Sequence, residues 1–428
     1  MGIDAGTSGI RACCINEQGT VLAEASLAFP LPTINGQEIS QNPLIWSTSL
    51  NQLIDNLRQQ ISFDSLKAIA IDGTSGTVFF CDADGQPASD ALMYNDARSG
   101  KQVEQLKRIG ANSTVQAVSS GLPKLMWLAE NSLEIKAKPK QTFIMHQADW
   151  LSYQFTQQLG HSDVNNCLKT GYDPINHKWP DWFEHLPALQ GSLPQVHTPG
   201  HLISPIAAHV ADRLNLPRSV QIIAGTTDSH AAILATGISK PGEAVTSLGS
   251  TLVVKIINET PIFDQQYGIY SQPFGDNWLV GGGSNSGGAV LRAFFSDAEM
   301  ASLSTQINPE QDTGLNYYPL LKRGERFPIN DPHLKPHLTP RPDNDVEYFQ
   351  ALLEGIAKIE HSAYAKLAEL GAPYPTSIYS AGGGAKNSAW TQIRQRYCQT
   401  GVQKSQYTEA CYGSALLAKQ GYTPDNSQ

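Results

Sequence analysis

The run Gly225-Thr226-Thr227-Asp228-Ser229-His230 places one carboxylate where a glycine-loosened segment becomes an apolar helix. Residues 222–224 read as the end of a buried strand, and residues 231–235 as the first turns of a helix. Asp228 therefore stands near a helix N-terminus, where unpaired backbone N–H groups and the helix dipole favour negative charge. The expectation is a carboxylate that is ionised at neutral pH and can accept a hydroxyl proton at the rim of a cleft. Helix capping is the simpler role for an aspartate in such a place, so the rest of the chain must decide between the two.

A chain of 428 residues exceeds the usual size of one hydrophobic core, and two domains with a cleft between them are expected. With 40% apolar and 16% charged residues it is globular in composition. A formal net charge of -9 argues against non-specific binding to nucleic acid or to an anionic membrane. The six cysteines form no C-x-x-C pair, which fits a reducing compartment. No apolar run reaches the roughly 20 residues that span a bilayer, and the first residues do not read as a signal peptide. The expected location is the cytoplasm, or the plastid stroma if a transit peptide has been removed.

Short glycine turns recur along the chain. After a first strand ending at Asp4, Gly6-Thr7-Ser8 makes a tight turn into two strands, at 10–15 and 21–29. Its backbone can approach an anion closely, and Asp4 beside it suits a hydrated magnesium ion. Gly249-Ser250-Thr251 repeats the pattern between strands at 242–248 and 252–257. Two such turns facing each other would grip a polyphosphate from both sides. Between them, a buried strand over 66–71 runs into Asp72-Gly73-Thr74-Ser75-Gly76-Thr77, and a strand follows at 78–81. Asp96 belongs to the run Tyr94-Asn95-Asp96-Ala97-Arg98, whose mixed polar groups suit a polyhydroxylated ligand. Residues 102–190 read as mostly helical, with large apolar side chains as core.

The tract 317–342 is rich in proline and reads as an extended excursion, with Pro332 and Pro336 forbidding a helix that would align His333 and His337 on a metal. A long helix over 346–370 leads through a strand at 378–380 into Ala381-Gly382-Gly383-Gly384-Ala385-Lys386-Asn387 and a helix over 388–398. Glycines between a strand and a helix N-terminus let a phosphate or a planar ring approach the backbone. Asn387 is a candidate partner for a base or ribose, and Trp390 a candidate aromatic face. The P-loop and dinucleotide fingerprints are absent, as are the H-E-x-x-H and G-x-S-x-G motifs. A nucleotide site made of several short glycine turns remains.

In order along the chain, Asp4-Ala5-Gly6-Thr7-Ser8, Leu122-Pro123-Lys124-Leu125-Met126-Trp127, Gly225-Thr226-Thr227-Asp228, Ser247-Leu248-Gly249-Ser250-Thr251, Gly324-Glu325-Arg326, Glu354-Gly355 and Ala381-Gly382-Gly383-Gly384 resemble the motifs of the FGGY carbohydrate kinases. The resemblance implies an α/β fold of two ribonuclease H-like (actin/hexokinase/Hsp70 superfamily) domains with a central cleft. The implied domains are 1–236 with 409–428 on the sugar and phosphate side, and 237–408 on the nucleotide side. It also implies ATP and Mg2+, with Asp228 as the catalytic base and Asp4 near both the metal and the sugar. Gly6, Thr7 and Ser8, with Gly249, Ser250 and Thr251, match the phosphate loops. Gly383, Gly384 and Asn387 match the adenosine motif, and Gly282, Asn285 and Gly287 fall in a second glycine-rich segment on the nucleotide side. Thr74, Ser75, Asp96 and Asp228 are the expected sugar contacts. The spelling Asp72-Gly73-Thr74-Ser75 is closer to ribulose-phosphorylating members, so D-ribulose is the first expected substrate and D-xylulose the second. A nucleotide-binding regulatory protein or a sugar-independent ATPase of the same fold is the rival of another class. The expected partners are the sugar and ATP alone, in a monomer or homodimer.

Overall fold

The computed structural model describes residues 1–137 and 141–424, so the last four residues of the terminal segment expected in the first domain lie outside the described residues. The chain divides into two compact units, Met1–Ala235 with Glu409–Gln428, and Thr236–Thr408.

The first unit is built on strands β1 (Gly2–Ala5), β2 (Gly9–Ile15), β3 (Val21–Ala28), β4 (Ala68–Gly73), β5 (Leu202–Pro205) and β6 (Gln221–Thr227), in the sheet order β5-β6-β4-β1-β2-β3. Strands β1 to β3 form an antiparallel meander, while β4 and β6 run parallel to β1. Every residue of β4 is buried, as a central parallel strand covered on both faces requires. On one face lie α1 (Leu44–Arg58) and α2 (Gln147–Thr156), whose Trp46, Leu50, Trp150 and Phe155 join Ile3, Ile69 and Ile71 in one core. A short helix α3 (Val164–Leu168) follows, and α4 (Asp228–Ala235) leaves the end of β6.

The terminal helix Ala410–Gly421 covers the other face, and two glycines let it come close. A side chain at Gly2 would strike the Cys411 carbonyl at 2.0 Å, and one at Gly413 the Ala231 carbonyl at 1.8 Å. The expectation that residues 102–190 are mostly helical is corrected in part. Thr142–His146 is a strand, antiparallel to Val78–Asp82 in a separate five-stranded sheet, and His161–Asp163 pairs with Gln195–His197. The apolar and β-branched residues of Thr142–His146 are better used on the flank of Val78–Asp82 than on a helix surface.

The second unit repeats this plan with β7 (Glu243–Leu248), β8 (Leu252–Asn258), β9 (Tyr270–Phe274), β10 (Asn277–Ser284), β11 (Ser377–Ala381) and β12 (Val402–Lys404). Its order is β9-β10-β8-β7-β11-β12. Strands β7, β8 and β10 form the meander, and β11 and β12 run parallel to β7. The two sheets share the connectivity of the ribonuclease H-like fold. Helix α5 (Asp345–Glu369) begins at Asn344, whose side chain accepts the Val346 N–H at 2.9 Å, and it packs with α6 (Ser388–Cys398).

One buried ion pair ties these elements together. Arg394 on α6 grips Glu360 on α5 through Nε and Nη2 at 2.6 and 2.8 Å. Thr246 on β7 donates to the same carboxylate at 2.5 Å, and Arg394 reaches Ser380 on β11 at 2.6 Å. Removing one partner strands the other charge in the core, so Arg394→Met should cost about 3–5 kcal/mol of stability in equilibrium urea unfolding. A loss below about 1 kcal/mol would show that the pair does not hold the helices to the sheet.

Candidate active site

Strand register assembles the site of the first unit. Asp4 on β1 lies beside Asp72 on β4, and Asp72 lies beside Thr226 on β6. Asp228 follows two residues later at the start of α4. Three carboxylates thus stand at the carboxyl ends of three adjacent parallel strands, where open α/β sheets bind ligands.

They are not equivalent. Asp72 is wholly buried, and its Oδ2 accepts the Ser414 hydroxyl of the terminal helix at 2.6 Å. Burial, and then the neighbouring Asp4 charge, push the Asp72 carboxyl far above the usual carboxylate range. Two carboxylates this close cannot both ionise, so Asp72 keeps a proton and shares a hydrogen bond with Asp4. Asp4 is itself raised by burial, opposed by the Asp72 hydrogen bond and by Arg11, which pairs with Glu409.

Asp228 accepts the Ser229 N–H at 2.6 Å. Burial nevertheless pushes its carboxyl up to about 6, against the Ser229 N–H and the charge of Lys169. The carboxylate is therefore mostly ionised at pH 7, but burial dominates over the helix end expected to control it.

The loops around this cluster are stitched by Gln147, which lies outside every motif, and by Lys124, to which its motif gave no role. Gln147, at the start of α2, accepts the Thr74 N–H at 3.0 Å and donates to the Gly6 carbonyl at 3.3 Å. The buried Lys124 ammonium donates to the carbonyls of Gly76, Met93 and Tyr94 at 2.8, 2.7 and 2.9 Å. Thr74 is nearly covered, and its hydroxyl faces the Ala5 carbonyl at 3.4 Å. Ser75 is half-buried with its N–H toward Asp228. Asp96 is a correction. It is fully buried, with its oxygens on the Ile39 N–H at 2.6 Å and on Arg98, so it organises the loop rather than meeting a ligand. Gly6, Thr7 and Ser8 form the β1–β2 turn, which is closed by the Gly6 N–H on the Gly9 carbonyl and leaves Ser8 exposed.

In the second unit, Gly249-Ser250-Thr251 is the β7–β8 turn, with Ser250 and Thr251 exposed. The helix Gly288–Arg292 seats against it, its Gly288 and Ala289 N–H groups donating to the Gly249 and Ser250 carbonyls at 2.9 and 3.0 Å. Gly287 makes this approach feasible: at φ 145° a side chain there would meet the Thr251 backbone at 2.7 Å. The second glycine turn lies alongside, since side chains at Gly382 and Gly384 would each strike Leu248, at 2.9 and 2.8 Å. Gly383 faces open space. The phosphate-loop and adenosine-motif glycines are thus brought together.

Four nucleotide-side candidates do other work. Trp390 is buried under Gly384, its Nε1 on the Leu353 carbonyl, so it presents no aromatic face. Asn387 caps α6 by accepting the Trp390 N–H at 3.0 Å and donates to Ser304 at 2.8 Å, which leaves its amide little for a base. Asn285 donates to the Gly324 carbonyl at 2.9 Å. Gly282 makes room for the Phe327 ring, which a side chain would meet at 2.8 Å.

Two family models match the chain: the N-terminal domain of the FGGY family of carbohydrate kinases over residues 1–235, and its C-terminal domain over 244–420. A xylulose kinase of Bacillus subtilis (strain 168) is 26% identical, covering 98% of this chain and 88% of its own. A gluconokinase of the same organism is 22% identical over 97% of this chain and 86% of its own. Among solved structures, a xyloylose kinase from Brucella ovis superposes with a TM-score of 0.86 at 22% identity, covering 97% of this chain and 89% of that one, a likeness of fold. With both domains matched in order over nearly all of its length, the chain belongs to the FGGY family of carbohydrate kinases.

Proposed function

We propose that this kinase transfers the γ-phosphate of ATP to the terminal hydroxyl of a ketopentose, with D-ribulose as the preferred acceptor. The observation that carries the transfer reading is the placement of an ionised Asp228 beside the Asp4–Asp72 pair. A carboxylate near pKa 6 is a competent base for a hydroxyl proton at neutral pH. The Asp72-Gly73-Thr74-Ser75 run supports D-ribulose, and the relatives named xylulose kinase make D-xylulose the nearest rival. A regulatory protein that has lost transfer would have no use for such a base, and an ATPase indifferent to sugar, whose acceptor is water, is separated by whether ADP release rises when sugar is added.

Asp228 takes the proton as the acceptor oxygen becomes nucleophilic, and Ser75 and Asp4 orient the sugar around it. In the second unit Gly249, Ser250, Thr251 and the turn at Gly383 and Gly384 are the groups for the nucleotide, and in the first unit the turn at Thr7 and Ser8 is the group for phosphate. Magnesium keeps most of its waters and takes one or two carboxylates, and Asp4 is the group that would hold it here. When bound, the ion would neutralise charge on the phosphoryl oxygens. Positioning supplies most of the remaining acceleration.

The expected result in a coupled ADP assay across D-ribulose, D-xylulose, L-ribulose, ribitol and glycerol is a kcat/KM for D-ribulose clear of the others. A higher value for D-xylulose would reassign the acceptor. The rate should fall as the pH drops through about 6, because protonated Asp228 cannot accept a proton. A flat profile between pH 5 and 8 would remove Asp228 from that role.

The same burial has a stability consequence. The folded pKa of about 6 lies above the ordinary 3.8, so stability linked to this group is present below the ordinary value and lost as pH rises through 6. Asp228→Asn should therefore raise stability at pH 7 by on the order of 1–2 kcal/mol, with the gain vanishing near pH 4. Thermal melts at the two pH values test this, and an Asp228→Asn protein less stable at pH 7 would contradict it.

A further inference from the structure

The cations around the carboxylate cluster of the first unit are mostly committed to the protein itself. Arg11 pairs with Glu409. Arg98 pairs with Asp96 at 2.8 Å and lies over the Trp127 ring. Lys124 is spent on backbone carbonyls. Lys169 is the exception: it is half-buried, and its ammonium makes no hydrogen bond or ion pair among the described residues.

Its place in the fold is defined by its neighbours on α3. Asn165 donates to the Thr226 hydroxyl at 2.9 Å and Asn166 to the Thr226 carbonyl at 3.2 Å, two residues ahead of Asp228. Lys169 follows these residues by four and three positions, which puts it on the same helical face. The Lys169 carbonyl accepts the Leu122 N–H, fixing the backbone there. Its charge lowers the pKa of both Asp228 and Lys124, so the ammonium is within electrostatic reach of the two.

We infer that Lys169 recognises the carbonyl oxygen of the acceptor and makes this pocket selective for ketoses over the corresponding polyols. The inference rests on the sugar-kinase reading above. Ionised carboxylates only accept hydrogen bonds, so Asp4 and Asp228 can serve sugar hydroxyls but not a carbonyl oxygen, which has no proton to give. An ammonium has three donors and no acceptor, the complement that a carbonyl needs. A polyol of equal length carries a hydroxyl at that carbon and can turn its proton toward a carboxylate instead.

The test is calorimetric binding of D-ribulose and of ribitol, without nucleotide, to the full chain and to Lys169→Met and Lys169→Arg. The wild-type protein should prefer the ketose. Lys169→Met should lose about tenfold or more in affinity for D-ribulose with little change for ribitol, and Lys169→Arg should recover part of the loss. Equal loss for both ligands, no loss for either, or a wild-type protein that does not prefer the ketose would each overturn the assignment. A melting temperature of Lys169→Met within a few degrees of wild type shows that the fold is intact, and Lys169→Arg carries the comparison if it is not. Because binding is read without transfer, absence of sugar-stimulated ADP release in a parallel assay would count against the kinase reading alone.

Discussion

The in-register pairing of Asp4 and Asp72 on adjacent parallel strands constrains everything around it. Two carboxyls held side by side in a covered sheet cannot both carry charge, and the fold resolves the conflict by position. Asp72 is fully buried, bonded to Ser414, and neutral. Asp4, level with it in register but only half-buried, is left as the group that can meet a ligand. The terminal helix is part of this arrangement, because Ser414 supplies the bond and the glycines at positions 2 and 413 let the helix come close enough to make it. A chain end distant in sequence thereby helps to set the charge state of the first strand.

The second unit uses the same sheet for a different task. Its β7–β8 turn takes the place of the β1–β2 turn, but β7 and β11 carry Ser247 and Ala381 in register where β1 and β4 carry the two aspartates. Glu360, which this unit buries along with Glu325 and Glu354, is paired with Arg394 and hydrogen-bonded to Thr246. The ends of β7 and β11 lead into glycine turns and carry no aspartate pair, which suits phosphate where the first unit suits hydroxyls.

Much of this could be read along the chain, because strand, glycine turn and helix follow one another in sequence. The β1–β2 and β7–β8 turns, α5, α6 and the strand-to-helix junction at Asp228 all fall where periodicity and glycine placed them. What spacing could not show was which polar groups are already satisfied. Asp96, Asn387 and Asn285 have the right chemistry for a ligand, yet each is bonded to a partner that only the fold brings near. Trp390 lies one helical turn past the glycine loop and points inward, because α6 needs that face for its core. Asp72 and Lys169 are the opposite case: their surroundings come from neighbours on other strands and helices, which no local motif encodes.

The role of Asp228 bears most directly on function, and one comparison isolates it. Sugar-dependent ADP formation and ATP affinity should be measured side by side for the wild-type protein and Asp228→Ala. If Asp228 is the base, the transfer rate falls by at least about two orders of magnitude while ATP affinity is nearly unchanged. Transfer that persists near the wild-type rate, or ATP affinity that is lost while the fold stays intact, would contradict that role.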